Sequence, residues 1–382
     1  MNKIAFVSFN QPNRYSGGRI HGLWLAYAFA ANGYDVDFYT NCIPVFWRNM
    51  PSTFCNHIHF IVNRFFIWCT NNGQYQQIVV VPHVTTWKKT IIDRLLFNPF
   101  VSRLKKRNNV PLWYLDFESP NWIYDTNPDL RPMSMYRNSN RLLKYCDIVI
   151  STTKTGLQYA QNYYSIYNKN IKYHQLYLAI NTYAAEGIDY HHKDNMAMFF
   201  ARFGQKHKNN EAIINIVESL PDGYHFAIMG NRDAAEPGLL SRLEKICKLK
   251  NILLCFHKNI TDRKKFELLA KTKIFFFSSI FEGYGIPPLE AQYMGASVIC
   301  SDLPVLREVN PMATFVDFDD KKMLIDAVNH LLKNQQNSDE LRKTIETFAS
   351  PEVFFKKLGI IINEINNEKS INFSIVDGAM RQ

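Results

Sequence analysis

Two series of short apolar runs, each run followed by a longer helical pattern, constrain this chain more than any other feature. The first series opens with KIAFVSF (3–9), a loop over Gln11–Gly18, the helical stretch GRIHGLWLAYAFAANG ending at Gly33, and then YDVDFYT. Unbroken apolar runs fit strands buried on both faces, and a strand–helix–strand opening implies a parallel sheet with right-handed crossovers. Further strands are expected at Ile58–Val62, Ile78–Val81, Pro111–Phe117, Asp147–Ser151 and Ile171–Tyr177. The polar stretch NTYAAEGIDYHHKDN (181–195) carries neither period and reads as a linker. Beyond it the alternation restarts, with strands at 196–202, 224–230, 251–257, 273–279 and 297–300, helices between them, and a last amphipathic helix over 351–366. The expected fold is α/β, with two Rossmann-like doubly wound domains, 1–185 and 195–350, facing a central cleft. Such sheets bind ligands outside the carboxyl ends of their strands.

With 382 residues, 47% of them hydrophobic, the chain can bury two cores of about 150 to 200 residues each. Its seven cysteines occur singly, which points to neither a zinc site nor a disulfide framework and fits a reducing compartment. The first residues lack the apolar run of a signal peptide, and no stretch reaches the roughly 18 residues that cross a bilayer, so a cytoplasmic location is expected. The charge is one-sided. Residues 1–180 hold 19 Lys and Arg against 8 Asp and Glu, and 25 against 26 remain for the rest. A basic half attracts anions such as lipid headgroups, nucleic acid or phosphorylated substrates. Within it Glu118 is the sole glutamate.

Four stretches carry candidate chemistry. Gly17 and Gly18, between a strand and a helix, leave backbone N–H groups open to a phosphate; they do not form G-x-G-x-x-G, and only Asp37 stands near the place of the acid that a dinucleotide site needs. FFARFGQKHKNN puts Arg202 at a strand end with Lys206 and Lys208 in the following loop, a set able to neutralise a diphosphate. FEGYGIPPLEA places Glu282 in a glycine turn, the N–H groups of Gly285 and Ile286 before a helix starting near Pro287–Pro288, and Glu290 inside that helix. Glu290 can accept from a vicinal diol and Glu282 from sugar hydroxyls; both can equally serve as complements to the helix dipole. LDFESP ends a strand with Asp116 and Glu118. His83 and the His191–His192 pair lack partners at ligand spacing, and no metal is assigned to them.

The order of these stretches, and above all FFFSSIFEGYGIPPLEAQYMGASVICSDLPVLREV, resembles the retaining glycosyltransferases of family 4, which have the GT-B fold. The likeness rests on Ser278–Ser279, Glu282–Gly285, the E-x7-E spacing to Glu290 and Ala291, Gly295, Asp302 and Glu308. It implies that Arg202 and Lys208, with Lys206 as rival, bind a donor diphosphate, and that Glu290 binds ribose and Glu282 the transferred sugar. Gly17, Gly18, Gly285 and Ile286 would approach phosphate, and His257 would lie beside the nucleotide base. The family's acceptor-side histidine is missing after PLWYLDFESP, where Glu118 or Asp116 stands instead. The resemblance also implies chemistry without a metal or other cofactor, and a final helix, 351–367, that crosses back onto the first domain.

The expected activity is transfer of a sugar, with retention, from a nucleotide diphospho-sugar, UDP favoured, to a glycan or lipid-linked hydroxyl in bacterial surface-polysaccharide assembly. WKKTIIDRLLFNPFVSRLKKRNN (87–109) reads either as an interfacial helix that holds the chain peripherally on an anionic membrane surface or as a helix packed on its own domain. A dinucleotide oxidoreductase and a nucleic-acid-binding protein are the weaker readings, the latter because the aromatics follow strand and helix periods rather than forming a stacking platform. A non-catalytic nucleotide-sugar binder of the same fold is the alternative.

Overall fold

The computed structural model describes residues 2–10, 17–63, 75–82, 93–130 and 133–379. Two all-parallel sheets form. In the first, β1 (Lys3–Ser8), β2 (Asp35–Thr40), β3 (Ile58–Val62), β4 (Gln77–Val81), β5 (Leu112–Asp116), β6 (Ile148–Ser151) and β7 (Lys172–Gln175) lie in the order 3-2-1-4-5-6-7. Register follows burial: Ile4 lies between Val36 and Gln77, Phe6 between Phe38 and Val79, and the Phe6 and Phe38 rings stack at 4.9 Å. The Gly17–Ala31 helix follows β1 and buries His21 through Ala30, because nearly every residue in that run is apolar or small.

The second sheet holds β8 (Met196–Phe200), β9 (His225–Met229), β10 (Leu253–His257), β11 (Ile274–Phe277), β12 (Ser297–Ser301) and β13 (Thr314–Val316), in the order 10-9-8-11-12-13. β13 is a strand that the sequence reading does not contain; at three residues on a sheet edge it shows no recognisable apolar period. The order reverses between β1 and β4 in the first sheet and between β8 and β11 in the second, so each sheet has its ligand-binding crevice at the carboxyl ends of those strands.

The final helix, Pro351–Ala379, begins on the second domain and crosses to the first. Phe354, Leu358, Ile361, Ile362 and Ile365 join the core formed by β1, β2 and the Gly17–Ala31 helix, and Asn32 Nδ2 donates to the Phe355 carbonyl at 3.0 Å. Burying each such side chain contributes about 1.5–3 kcal/mol, enough to tie the two halves together.

Of the expected helix over 87–109, residues 87–92 lie outside the described residues. Among the described residues the chain makes a wide π turn over Asp93–Phe97 and an α-helix over Asn98–Asn108. Phe100, Val101 and Leu104 of that helix pack with Ala5, Val7 and Val80 of the first sheet. Along Asn98–Asn108 the apolar stripe therefore faces the helix's own domain, the second of the two readings of this stretch. Arg103, Lys106 and Arg107 remain on the exposed side. Among the described residues no helix is long and apolar enough to cross a membrane.

Candidate active site

At the switch point of the second sheet, β8 is followed by Ala201–Arg202 and the chain turns through a 3-10 segment, Lys206–Lys208, to Asn209 in the left-handed conformation (φ 45°). Ser278, just past β11, donates from Oγ to the carbonyls of Lys208 (3.2 Å) and Asn209 (3.0 Å) and fixes that loop. Lys208 Nζ is thereby aimed at the next turn, where it forms an ion pair with Glu282; both side chains are 12% exposed. Lys208 also lies over the Phe277 ring at 5.7 Å. Arg202 and Lys206 are exposed, and Arg202 makes no ion pair among the described residues. The structure thus couples Lys208 to Glu282 directly, a contact between two residues that the sequence reading assigned to separate parts of a donor.

The Glu282–Gly285 turn owes its shape to glycine. Gly285 has φ 104°, and a Cβ there would lie 2.5 Å from Leu306 Cδ2. It caps the Ile286–Tyr293 helix, which has proline in its first turn and starts one residue before the expected Pro287. Glu290 in this helix is buried, with Oε1 2.6 Å from Lys265 Nζ, while Lys265 also reaches Asp262 at 3.2 Å. Burial pushes the Glu290 carboxyl up, against the pull of Lys265. Burial likewise opposes the Lys265 charge, but Glu290 and Asp262 outweigh it and hold the amine above its ordinary range. One Glu290 oxygen is therefore engaged by Lys265.

His257 ends β10, two strands away from β8, and its carbonyl accepts from Gly230 N at 3.0 Å. Ala201 N in turn donates to the Met229 carbonyl at 3.0 Å, so Arg202, Gly230 and His257 follow one another along the carboxyl edge of β8, β9 and β10. Desolvation lowers the half-buried His257 imidazole pKa, helped by Lys264.

The first sheet faces this edge closely. A Cβ on Gly283 would lie 2.7 Å from Glu118 Cγ and 2.8 Å from the Phe117 carbonyl oxygen, so the acid after β5 touches the turn after β11. Thr152 Oγ1, after β6, donates to the Gly283 carbonyl at 3.4 Å. Tyr284 brackets the Leu178 backbone, with its hydroxyl 3.1 Å from Leu178 N and 3.3 Å from the carbonyl. Gly18 approaches the same place from the other side, since a Cβ on it would lie 3.0 Å from the Phe117 ring. Gly17 opens the same helix and is exposed.

Two buried titratable groups accompany Glu118. Asp116, at the end of β5, accepts from Tyr164 Oη (2.7 Å) and Ser151 Oγ (3.2 Å). Burial raises its pKa to about 7 against those two donors, and the Glu118 charge adds to the rise. Asp116 is thus a held, interior group, and Glu118 is the acid that reaches the opposite turn. His21 is the second, a residue the sequence reading did not single out, and it is taken up below.

His83 lies outside the described residues. His192 pairs with Asp189 at 2.6 Å on the surface of the linker. Among the described residues no group of three or more His, Cys, Asp or Glu is placed to hold a metal ion.

The chain is similar to known glycosyltransferases. Residues 186–348 match the family model "Glycosyl transferases group 1". A sequence relative is the O-antigen chain mannosyltransferase RfbU of Salmonella typhimurium, 28% identical over 193 residues, which are 50% of this chain and 52% of that protein. The match therefore spans about half the length of that relative. Among solved structures, sucrose-phosphate synthase from Thermosynechococcus elongatus superposes with a TM-score of 0.70 at 14% identity, covering 96% of this chain and 100% of that one. HepE from Anabaena in complex with UDP-glucose superposes with a TM-score of 0.63 at 13% identity, covering 95% and 99%. The fold is GT-B, and both the family model and the sequence relative that the chain resembles are of glycosyltransferases.

Proposed function

We propose that this chain is a retaining glycosyltransferase that moves a sugar from a nucleotide diphospho-sugar to a hydroxyl of a glycan or lipid-linked acceptor during assembly of a bacterial surface polysaccharide. The observation that carries the reading is the Lys208–Glu282 ion pair at the switch point of the second sheet, with exposed Arg202 at the start of the loop that carries Lys208 and Glu118 reaching the same turn from the first sheet.

A donor diphosphate entering this edge takes Arg202 and draws Lys208 from Glu282, because two phosphate groups outbid one carboxylate for an ammonium. Glu282 is then released to orient hydroxyls of the transferred sugar. Glu290 and His257 lie toward the nucleoside. The bond from the anomeric carbon to the diphosphate oxygen breaks, and the acceptor oxygen bonds to that carbon on the same face. The acceptor proton passes to the leaving diphosphate. Arg202 and Lys208 stabilise the charge that develops there, a preorganised effect worth several kcal/mol. No metal or other cofactor enters this scheme.

UDP is the favoured nucleotide, in keeping with the UDP-glucose held by HepE; the mannosyltransferase RfbU makes mannose the first alternative sugar to try. The basic first half, with Arg103, Lys106 and Arg107 on the open side of their helix, would rest against an anionic membrane surface through charge alone. The deciding experiment is a panel of UDP- and GDP-sugars scored for thermal stabilisation and for transfer, with the product anomer assigned by NMR. Transfer with retention, lost in Arg202→Ala and Glu282→Ala, is expected. An inverted product, or wild-type rates in both variants, overturns the assignment.

A further inference from the structure

His21 has no part in the scheme above, yet its setting asks for one. Asp116 has two donors, and Lys193, an amine whose pKa burial lowers to about 7, is satisfied by the carbonyls of Ala270 and Met294. His21 differs from both. It is 6% exposed, and its Nδ1 has no hydrogen-bond partner among the described residues. Buried polar atoms are nearly always paired, since an unpaired one forfeits its solvation for nothing.

Its neighbours come from both sheets. The imidazole lies 6.2 Å, centroid to centroid, from Phe117 and 6.4 Å from Tyr284. Those residues adjoin Glu118 and Gly283, the pair that meets across the cleft. The imidazole thus lies where the two halves of the molecule face each other. Burial lowers the pKa of the ring to about 3, so it is neutral and offers one donor and one acceptor rather than a charge. A neutral imidazole both donates and accepts, which matches a hydroxyl, a group that does the same.

We propose that His21 hydrogen-bonds a sugar hydroxyl held between the two sheets, on the side of the cleft that Glu118 occupies. The proposal rests on the transferase reading, and the test separates the two. Full-length His21→Phe and His21→Leu keep an apolar filling between Phe117 and Tyr284 and remove the polar atom; His21→Asn restores a polar atom near the position of Nδ1. Melting temperature is read for all, along with release of UDP or GDP from UDP-glucose and GDP-mannose, with and without methyl α-mannoside as acceptor.

The expected result is a melting temperature at or above that of wild type in the better of the two apolar variants, with transfer reduced roughly tenfold and partly regained by His21→Asn. A loss confined to transfer assigns the hydroxyl to the acceptor; an equal loss in donor hydrolysis assigns it to the donor sugar. A melting temperature lowered in both apolar variants makes the imidazole structural and overturns the proposal. So does transfer at the wild-type rate in those variants. A wild type inactive with every donor defeats the transferase reading, and this one with it.

Discussion

Glu308 accepts the backbone N–H groups of Lys154 and Thr155, at 2.6 and 3.0 Å, across the boundary between the two sheets. It also accepts from Thr155 Oγ1 at 2.8 Å. These are the first, unpaired donors of the Lys154–Tyr164 helix, where a carboxylate is favoured by both hydrogen bonding and the helix dipole. The helix's own cap, Thr153, serves Gly156 instead. Because Glu308 sits on the Pro304–Val309 helix after β12, its capping energy is available only while the sheets stay together. Glu308→Ala should therefore lower stability by about 1 kcal/mol and the melting temperature by about 2–4 °C. It should also enlarge the radius of gyration in X-ray scattering; unchanged values of both would show that the contact does not hold the sheets together.

Gly283 is a close approach between the halves, and the closeness is measurable by filling it. A methyl group there meets Glu118 Cγ at 2.7 Å and backbone oxygen of Phe117 at 2.8 Å, and backbone does not move aside cheaply. Gly283→Ala is expected to cost about 1–3 kcal/mol of stability in the closed form, or to hold the sheets apart. Either way transfer falls while the two domains stay folded, with far-ultraviolet dichroism unchanged. Transfer at the wild-type rate would mean that Glu118 is not needed where it lies.

How much of this was open to sequence reading depends on how local each feature is. β1, β8 and β11 are continuous apolar runs because both faces of a parallel sheet are covered, and such runs are visible without any partner. β13 has three residues and no run to see. The stripe of Phe100, Val101 and Leu104 was visible as a face, but periodicity does not say whether lipid or the first sheet covers it. Glycine and carboxylate at 282–285 were legible as a site because turn chemistry is local. Their partners were not: Lys208 is 74 positions from Glu282, and Lys265 is 25 from Glu290. His21 stood as one polar letter in an apolar helix, and only the fold sets Phe117 and Tyr284 against it.

The Lys208–Glu282 pair makes a prediction independent of activity. Both side chains are 12% exposed, so removing one leaves the other's charge poorly solvated. Lys208→Met and Glu282→Gln should each destabilise the chain, and the double variant should cost less than the two together, with a coupling energy of about 1–3 kcal/mol from a double-mutant cycle in urea. Additive losses would show that the two groups do not interact in solution. A saturating donor should shrink the coupling, since diphosphate takes Lys208 from its partner.

Asp116 predicts how stability changes with pH. Its carboxyl is raised from 3.8 to about 7, chiefly by burial. Between those values the unfolded chain releases a proton that the folded chain keeps. The stabilisation is therefore complete below about pH 4 and is lost as pH rises toward about 7, at no more than roughly 1.4 kcal/mol per pH unit. Asn in its place keeps the size and one acceptor for Tyr164 or Ser151 but cannot ionise. Asp116→Asn should start with a fixed deficit in acid, from the lost acceptor, and gain on the wild type steadily as pH rises, overtaking it near neutrality. Urea unfolding of both proteins at about pH 4.5, 6 and 7.5 measures the difference. A difference that stays constant across that range would mean that the carboxyl ionises in the folded chain as it does in the unfolded one, and that Tyr164 and Ser151 solvate the anion fully.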